Sequence, residues 1–456
     1  MRPYVKCLFR FVVILVFANI TLIPSVESSI VAVVDSGVDI KHIYLQGHIW
    51  INPVDNTKNQ IDEDGNNLLD DINGWNFADE NNQVMDYSFA ILNCSDIQNF
   101  FKIQNKSYVS GITYEEREWM NGKLKDQDFV KQVMKYISYI HGTHVAGIAY
   151  GENDKIKILP IRIRPTGSSN IDFNSLAKSD NVQMFEFKEK LINVAKKSSL
   201  QMKKIANYVL EKNVDVANCS FGTDYEKMYL AITKLLQRVF GTFSNEREVH
   251  KFVQLYFETL LAYEQEAVIE AFNTLFVFAA GNVQSNNDQF LTSPANIKAP
   301  NALTVAATYG FADFANFSNY GEEMVDLAAP GVSIKSSIPD NLFLNVSGTS
   351  QAAPYVSNIA ANMKDENPKL MPAELKEILM GTVDFRDYLV GKVKSSGTVN
   401  KERAIQAARN TLEMPLMESI ELAKYQVIEV KKDKGMGHTI QGDPAFILPL
   451  NNFLGL

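Results

Sequence analysis

Cysteine is almost absent from this chain, which has only Cys7, Cys94 and Cys219. One pair at most can form, so a disulfide framework is excluded and free thiols are the expected state. An excess of positive charge is missing too. The formal net charge is −9, and the basic residues Lys431, Lys432 and Lys434 make only a short run; together these exclude a nucleic-acid-binding role. Also lacking is an apolar run long enough to cross a bilayer. The uncharged stretch from Phe11 to Val26 is 16 residues, against about 20 for a spanning helix. What is present is a globular composition, 46% hydrophobic and 21% charged over 456 residues, enough for a large core.

The amino end has the form of an export signal. Arg2, Lys6 and Arg10 precede the apolar segment, and Val26 and Ser28 supply small residues at the −3 and −1 positions of a cleavage point. A cleaved signal over residues 1–28 is expected, and with it a secreted, periplasmic or otherwise extracytoplasmic location. The alternative is a membrane anchor formed by the uncleaved segment. No cysteine stands near the cleavage point to carry a lipid.

The rest of the chain turns on Asn345–Tyr355, in which Gly348 and Thr349 precede Ser350. Small residues after the serine, with Pro354 expected in a first helical turn, present its hydroxyl beside free backbone amides and the positive end of a helix. Three continuous apolar runs end in polar or small residues: Ser29–Gly37 with Asp35, Val214–Gly222, and Thr274–Asn282. Such runs read as buried parallel strands, and their carboxyl ends are where open α/β sheets place sites. Asp35 is therefore a site candidate, or else a turn residue before Gly37. Asn282 can aim an amide at an oxyanion, or simply form a turn. Between the first two runs stands His141-Gly142-Thr143-His144, read as the start of a helix packed closely on the sheet. A histidine held by a carboxylate acts as a general base near neutral pH. A zinc reading fails, because a zinc helix spaces its histidines at i and i+4 around a glutamate.

The stretch Asp62–Asp71 is acidic. Asp62, Asp64 and Asn66, the bend at Gly65, and Asp70 and Asp71 are the ingredients of a loop around a hard cation. Calcium is the expected ion, with a solvated acidic turn as the alternative.

Four blocks in this order, Val33-Val34-Asp35-Ser36-Gly37, His141–Gly147, Ala279-Ala280-Gly281-Asn282 and Ser347–Pro354, resemble the subtilisin-like serine peptidases. The resemblance covers roughly residues 29–410. It implies an α/β fold of three layers, with a central, mainly parallel sheet flanked by helices. It also implies a serine endopeptidase working through an acyl-enzyme, with Ser350 as nucleophile, His141 as base and acid, Asp35 orienting it, and Asn282 in the oxyanion hole. Ser220, Phe221 and Gly222 then match one wall of the substrate groove, and Ala279, Ala280 and Gly281 the other. The partner is a protein or peptide substrate, and no cofactor is implied for the chemistry. A weakly catalytic, peptide-binding member of the same fold is the alternative. An esterase of the other α/β hydrolase class would need a Gly-x-Ser-x-Gly elbow, which Ser350 lacks.

The domain expected over 29–410 carries insertions at about 52–140 and 225–272, followed by an extension over 411–456 that reads as a small strand-containing appendage. Gln351 stands where the family usually has methionine, and Tyr355 where it usually has histidine. No room for a folding prodomain is visible between the signal and the first strand, which implies a separate folding helper or inhibitor as a partner.

Overall fold

In chain order the strands are β1 (Ile30–Asp35), β2 (Trp75–Asn76), β3 (Lys157–Arg162), β4 (Val216–Cys219), β5 (Leu275–Ala279), β6 (Ala302–Tyr309), β7 (Asp313–Phe314), β8 (Leu327–Pro330), β9 (Ile334–Ile338), β10 (Leu342–Val346), β11 (Asp384–Phe385) and β12 (Gly397–Thr398). The helices are α1 (Ser95–Val109), α2 (Tyr114–Lys125), α3 (Gln127–Tyr150), α4 (Met184–Glu211), α5 (Tyr225–Phe240), α6 (Glu246–Glu270), α7 (Thr349–Glu366), α8 (Pro372–Gly381), α9 (Lys401–Asn410) and α10 (Leu416–Gln426). This is a computed structural model, and it describes residues 28–164, 183–241 and 245–431. Nearly all of the expected signal, and the carboxyl-terminal part of the 411–456 extension, lie outside those residues.

The main sheet runs β2-β3-β1-β4-β5-β6-β8-β12-β11, with β7 antiparallel on β6. All neighbours along that path are parallel except β11 and β12. Its central strands are apolar without interruption because both faces are covered. Alternate residues go to alternate faces. Val31 and Val33 of β1 join Val145 and Ala149 of α3 and Val356 and Ile359 of α7 in one core. Ala32 and Val34 join Ile205 and Val209 of α4 and Val268 of α6 in the other. The layering is therefore helix, sheet, helix, as expected.

Both inserted regions bring their own apolar clusters. Phe100, Met120, Phe129, Val133 and Ile137 pack together along α1, α2 and the first half of α3. Phe187, Ile232, Leu236, Val253 and Phe257 close α4, α5 and α6 on one another.

Three local expectations need correction. His141 does not open a helix; it lies deep inside α3, which begins at Gln127. Gly142 is a docking point, in keeping with the close helix–sheet packing expected of the small residues here. A Cβ there would stand 2.2 Å from the Gly37 carbonyl oxygen, so only glycine lets the helix lie this close to the end of β1. Pro354 lies in the second turn of α7, not the first. The described part of the 411–456 extension is helix α10 and extended chain, not strand. Its residues Val427, Ile428 and Val430 are held at their carbonyls by Arg403, Asn400 and Arg386. Side chains rather than a sheet partner satisfy them.

Candidate active site

Register brings the carboxyl ends together. Val34 of β1 lies beside Cys219 of β4, which lies beside Phe278 of β5. The next residues, Asp35, Ser220 and Ala279, therefore stand side by side at one edge of the sheet. β1 is also where the order changes direction, with β3 on one side and β4 on the other, the place where such sheets open a crevice.

Asp35 and His141 meet there. His141 Nδ1 donates to Asp35 Oδ1 at 2.7 Å, and both residues are almost wholly buried, at 1% and 2% exposure. The same carboxylate oxygen accepts the Ser36 amide at 2.6 Å and the Ser36 hydroxyl at 3.1 Å. Three donors on one oxygen fix the carboxylate, and the carboxylate fixes the imidazole tautomer with Nε2 left as the basic atom. His144, three residues on, faces away from this chemistry. Its Nε2 lies 3.1 Å from the Ile334 carbonyl and 3.0 Å from that of Leu344, and burial lowers its pKa to about 4. It is a neutral clamp on the β9–β10 hairpin.

Ser350 is the second residue of α7, and Gly348 caps that helix without a side chain. Asn282 takes over the capping. Its Oδ1 accepts the Thr349 amide at 2.8 Å and the Thr349 hydroxyl at 2.9 Å. With the oxygen so held, the Asn282 Nδ2 group is buried and has no hydrogen-bond partner among the described residues. A buried donor left open is costly in the resting state and is the form that an oxyanion donor takes.

Ser350 and Ser220 are joined by two reciprocal bonds. Ser220 Oγ donates to the Ser350 carbonyl at 3.0 Å, and Ser350 Oγ donates to the Ser220 carbonyl at 3.3 Å. Pro354 explains the first of these. Its missing N–H leaves the carbonyl four residues earlier unfilled, and that carbonyl belongs to Ser350. The second bond holds the Ser350 hydroxyl on the β4 strand end, so rotation about its Cα–Cβ bond is needed before it can point elsewhere.

The two groove walls are tied across their base. Thr223 pairs with Ser293 through two backbone bonds of 2.8 and 3.2 Å. Asn287 donates to the Ala280 carbonyl at 3.0 Å. Below Ser293 lies a residue that sequence reading missed: Glu264 of α6 accepts the Ser293 hydroxyl at 2.6 Å, and burial pushes its pKa up to about 8. Its sequence signal was weak, a single acid on the apolar face of an amphipathic helix. Glu115 and Glu226, also acidic and in the inserted regions, sit in the first turns of α2 and α5.

The acidic loop is also folded in, far from Ser350 in role. Asp62 accepts the amides of Gly65, Asn66 and Asn67. Asp70 accepts those of Asn59 and Gln60, both at 3.0 Å. Asp71 accepts the Tyr208 hydroxyl at 2.9 Å and an amide hydrogen of Asn66. Lys212 reaches both Asp64 and Asp71. Calcium takes six to eight oxygen ligands; most oxygens of the five predicted donors already accept hydrogen bonds, and the Lys212 ammonium stands among them. Among the described residues no group of three or more His, Cys, Asp or Glu is arranged to hold a metal, and no helix is long and apolar enough to cross a membrane.

Subtilisin-like protease 2 of Plasmodium falciparum is 23% identical over 333 residues, 73% of this chain but 16% of that protein. Alkaline elastase YaB of Bacillus sp. (strain YaB) is 37% identical over 136 residues, 29% of this chain and 33% of the elastase. The matched stretches thus span well under two thirds of these relatives. The crystal structure of a cold adapted subtilisin-like serine proteinase aligns with a TM-score of 0.44 at 21% identity, over 82% of this chain and 88% of its own. Residues 27–407 match the profile of peptidase S8, a span that takes in every strand of the sheet and both ends of the Asp35–His141 bond, and so the chain belongs to the Subtilase family.

Proposed function

We propose that this protein is a serine endopeptidase that cuts protein or peptide substrates through an acyl-enzyme, with Asp35, His141 and Ser350 as its triad. The observation that carries the reading is the buried 2.7 Å bond between Asp35 and His141 in a chain of this family. Ser350 Oγ leaves the Ser220 carbonyl and attacks the substrate carbonyl as His141 Nε2 takes its proton. The Asn282 amide and the Ser350 backbone N–H receive the oxyanion. His141 then protonates the departing amine, and water attacks the ester by the same route in reverse. Asp35 stays ionised throughout and holds the ring.

Ser220–Gly222 and Ala279–Gly281 bind the substrate as an added strand. The walls carry no charge, so a large apolar side chain is expected on the acyl side of the cut, where a basic one finds no compensation. The chain acts outside the cytoplasm after loss of residues 1–28, and the peptidase unit spans 29–410. Calcium at Asp62, Asp64, Asn66, Asp70 and Asp71 is a structural matter apart from this chemistry, and the ammonium of Lys212 among them speaks against it.

Labelling with a fluorophosphonate probe tests the reading, followed by hydrolysis of a protein substrate. Labelling and turnover that both vanish in Ser350→Ala support it. An unlabelled but folded wild type favours the alternative, a peptide-binding protein whose serine stays on Ser220, as its present 3.3 Å bond allows.

A further inference from the structure

The loop expected to wrap a cation already contains one. Lys212, at the carboxyl end of α4, is 148 residues from Asp64 in sequence, yet its Nζ is bonded to Asp64, lies 3.1 Å from Asp71 and 3.0 Å from Glu211. An ammonium has three N–H donors, and three carboxylates meet it. The side chain is 5% exposed, and its Nζ lies 5.4 Å from the centre of the Tyr208 ring, whose hydroxyl donates to Asp71. Asn52 completes the enclosure, donating to both Asp64 and Asp71.

We infer that Lys212 is the resident cation of the acidic loop, so that this member of the family holds the loop in shape without calcium. Two more of the loop's carboxylates are used separately. Asp62 and Asp70 are spent on backbone amides. A divalent ion entering this loop has to expel a buried ammonium that is hydrogen-bonded on every side.

Thermal unfolding of the purified protein in millimolar EGTA and in millimolar calcium chloride tests this. The expected shift is below about 2 °C, against roughly 5–10 °C for saturation of a tight site. Lys212→Met keeps the apolar stem and removes the charge. It is expected to unfold at a lower temperature and to regain part of the loss when calcium is added. A Lys212→Met protein as stable as the wild type overturns the inference. Should that variant fail to fold, the wild type and Asp64→Asn decide it. A calcium gain in the wild type that disappears in Asp64→Asn places calcium in the loop and sinks the proposal; a gain that survives Asp64→Asn puts the ion elsewhere and leaves Lys212 in its role.

Discussion

Two buried carboxylates in this molecule are each met by a nitrogen base, and the two bases differ. Asp71 faces the ammonium of Lys212 at 3.1 Å, and Asp35 faces the imidazole of His141 at 2.7 Å. An ammonium titrates far above neutrality and keeps its charge, whereas an imidazole gains and loses a proton near pH 7. Around Asp71 the neighbouring donors are also fixed, from Asn52, Asn66 and Tyr208. Around the Asp35 end of the sheet some capacity is left unused: Asp35 Oδ2 and Asn282 Nδ2 are buried without partners among the described residues. The first cluster has its bonds filled and serves stability. The second holds bonds in reserve, which is the condition for binding a charge that exists only during reaction.

The comparison breaks most visibly at Ser350. Ser350→Ala is expected to lower kcat by on the order of 10⁶-fold, a magnitude measured on subtilisin of this same family. Its melting temperature should stay near that of the wild type, since one exchangeable hydroxyl bond is lost. A variant that keeps more than a few per cent of wild-type turnover removes Ser350 from the chemistry.

Asp71→Ala tests the other cluster. Removing one partner of a buried ion pair costs about 3–5 kcal/mol, read as a lower denaturation midpoint, while kcat/KM of the folded fraction is unchanged. Equal losses of stability and turnover would mean that the two clusters are not separate in role.

Asn282→Ala sits between the two. Its amide donor is expected to account for about 10²–10³ in kcat, again a figure from subtilisin, with KM little altered. Because Asn282 Oδ1 also caps α7, a stability loss of about 1 kcal/mol should accompany it. Unchanged kcat with lowered stability would leave Asn282 as a cap alone.

The smallest effect concerns Glu264, which has no buried cation of its own. Its folded pKa of about 8 lies above the ordinary value of 4.5, so the folded state binds the extra proton between them. Stability is therefore full below about pH 4.5 and is lost as pH rises through 8. Glu264→Gln should remove that slope. Denaturation midpoints that fall in parallel for both proteins from pH 5 to 9 would show that the carboxyl is not held neutral.

What was readable from sequence, and what was not, follows contact range. β1, β4 and β5 were legible because strands covered on both faces have no polar face to interrupt them. Asp35 and Asn282 became candidates because each ends a continuous apolar run, and His141 because small residues follow it; Gly142 is small for a reason the structure gives. What local sequence did not show is how far helix α3 extends before His141, since it begins at Gln127. Lys212 was invisible: nothing local ties a lysine at a helix end to an aspartate 148 residues away. Glu264 was hidden likewise, one acid among the apolar residues of α6. The roles of the acidic loop hinged on that long-range lysine, which composition alone could not supply.

In the reaction proposed above, Pro354 has a consequence for alignment. By withholding its N–H it hands the Ser350 carbonyl to Ser220, so the first turn of α7 is laced directly to the strand end that would hold a substrate's backbone. The offset between attacking oxygen and target carbonyl is then set over one short hydrogen-bonded bridge, not summed through helix, core and sheet. Any shift of α7 against the sheet would carry that strand end with it, so the two parts would move together instead of apart.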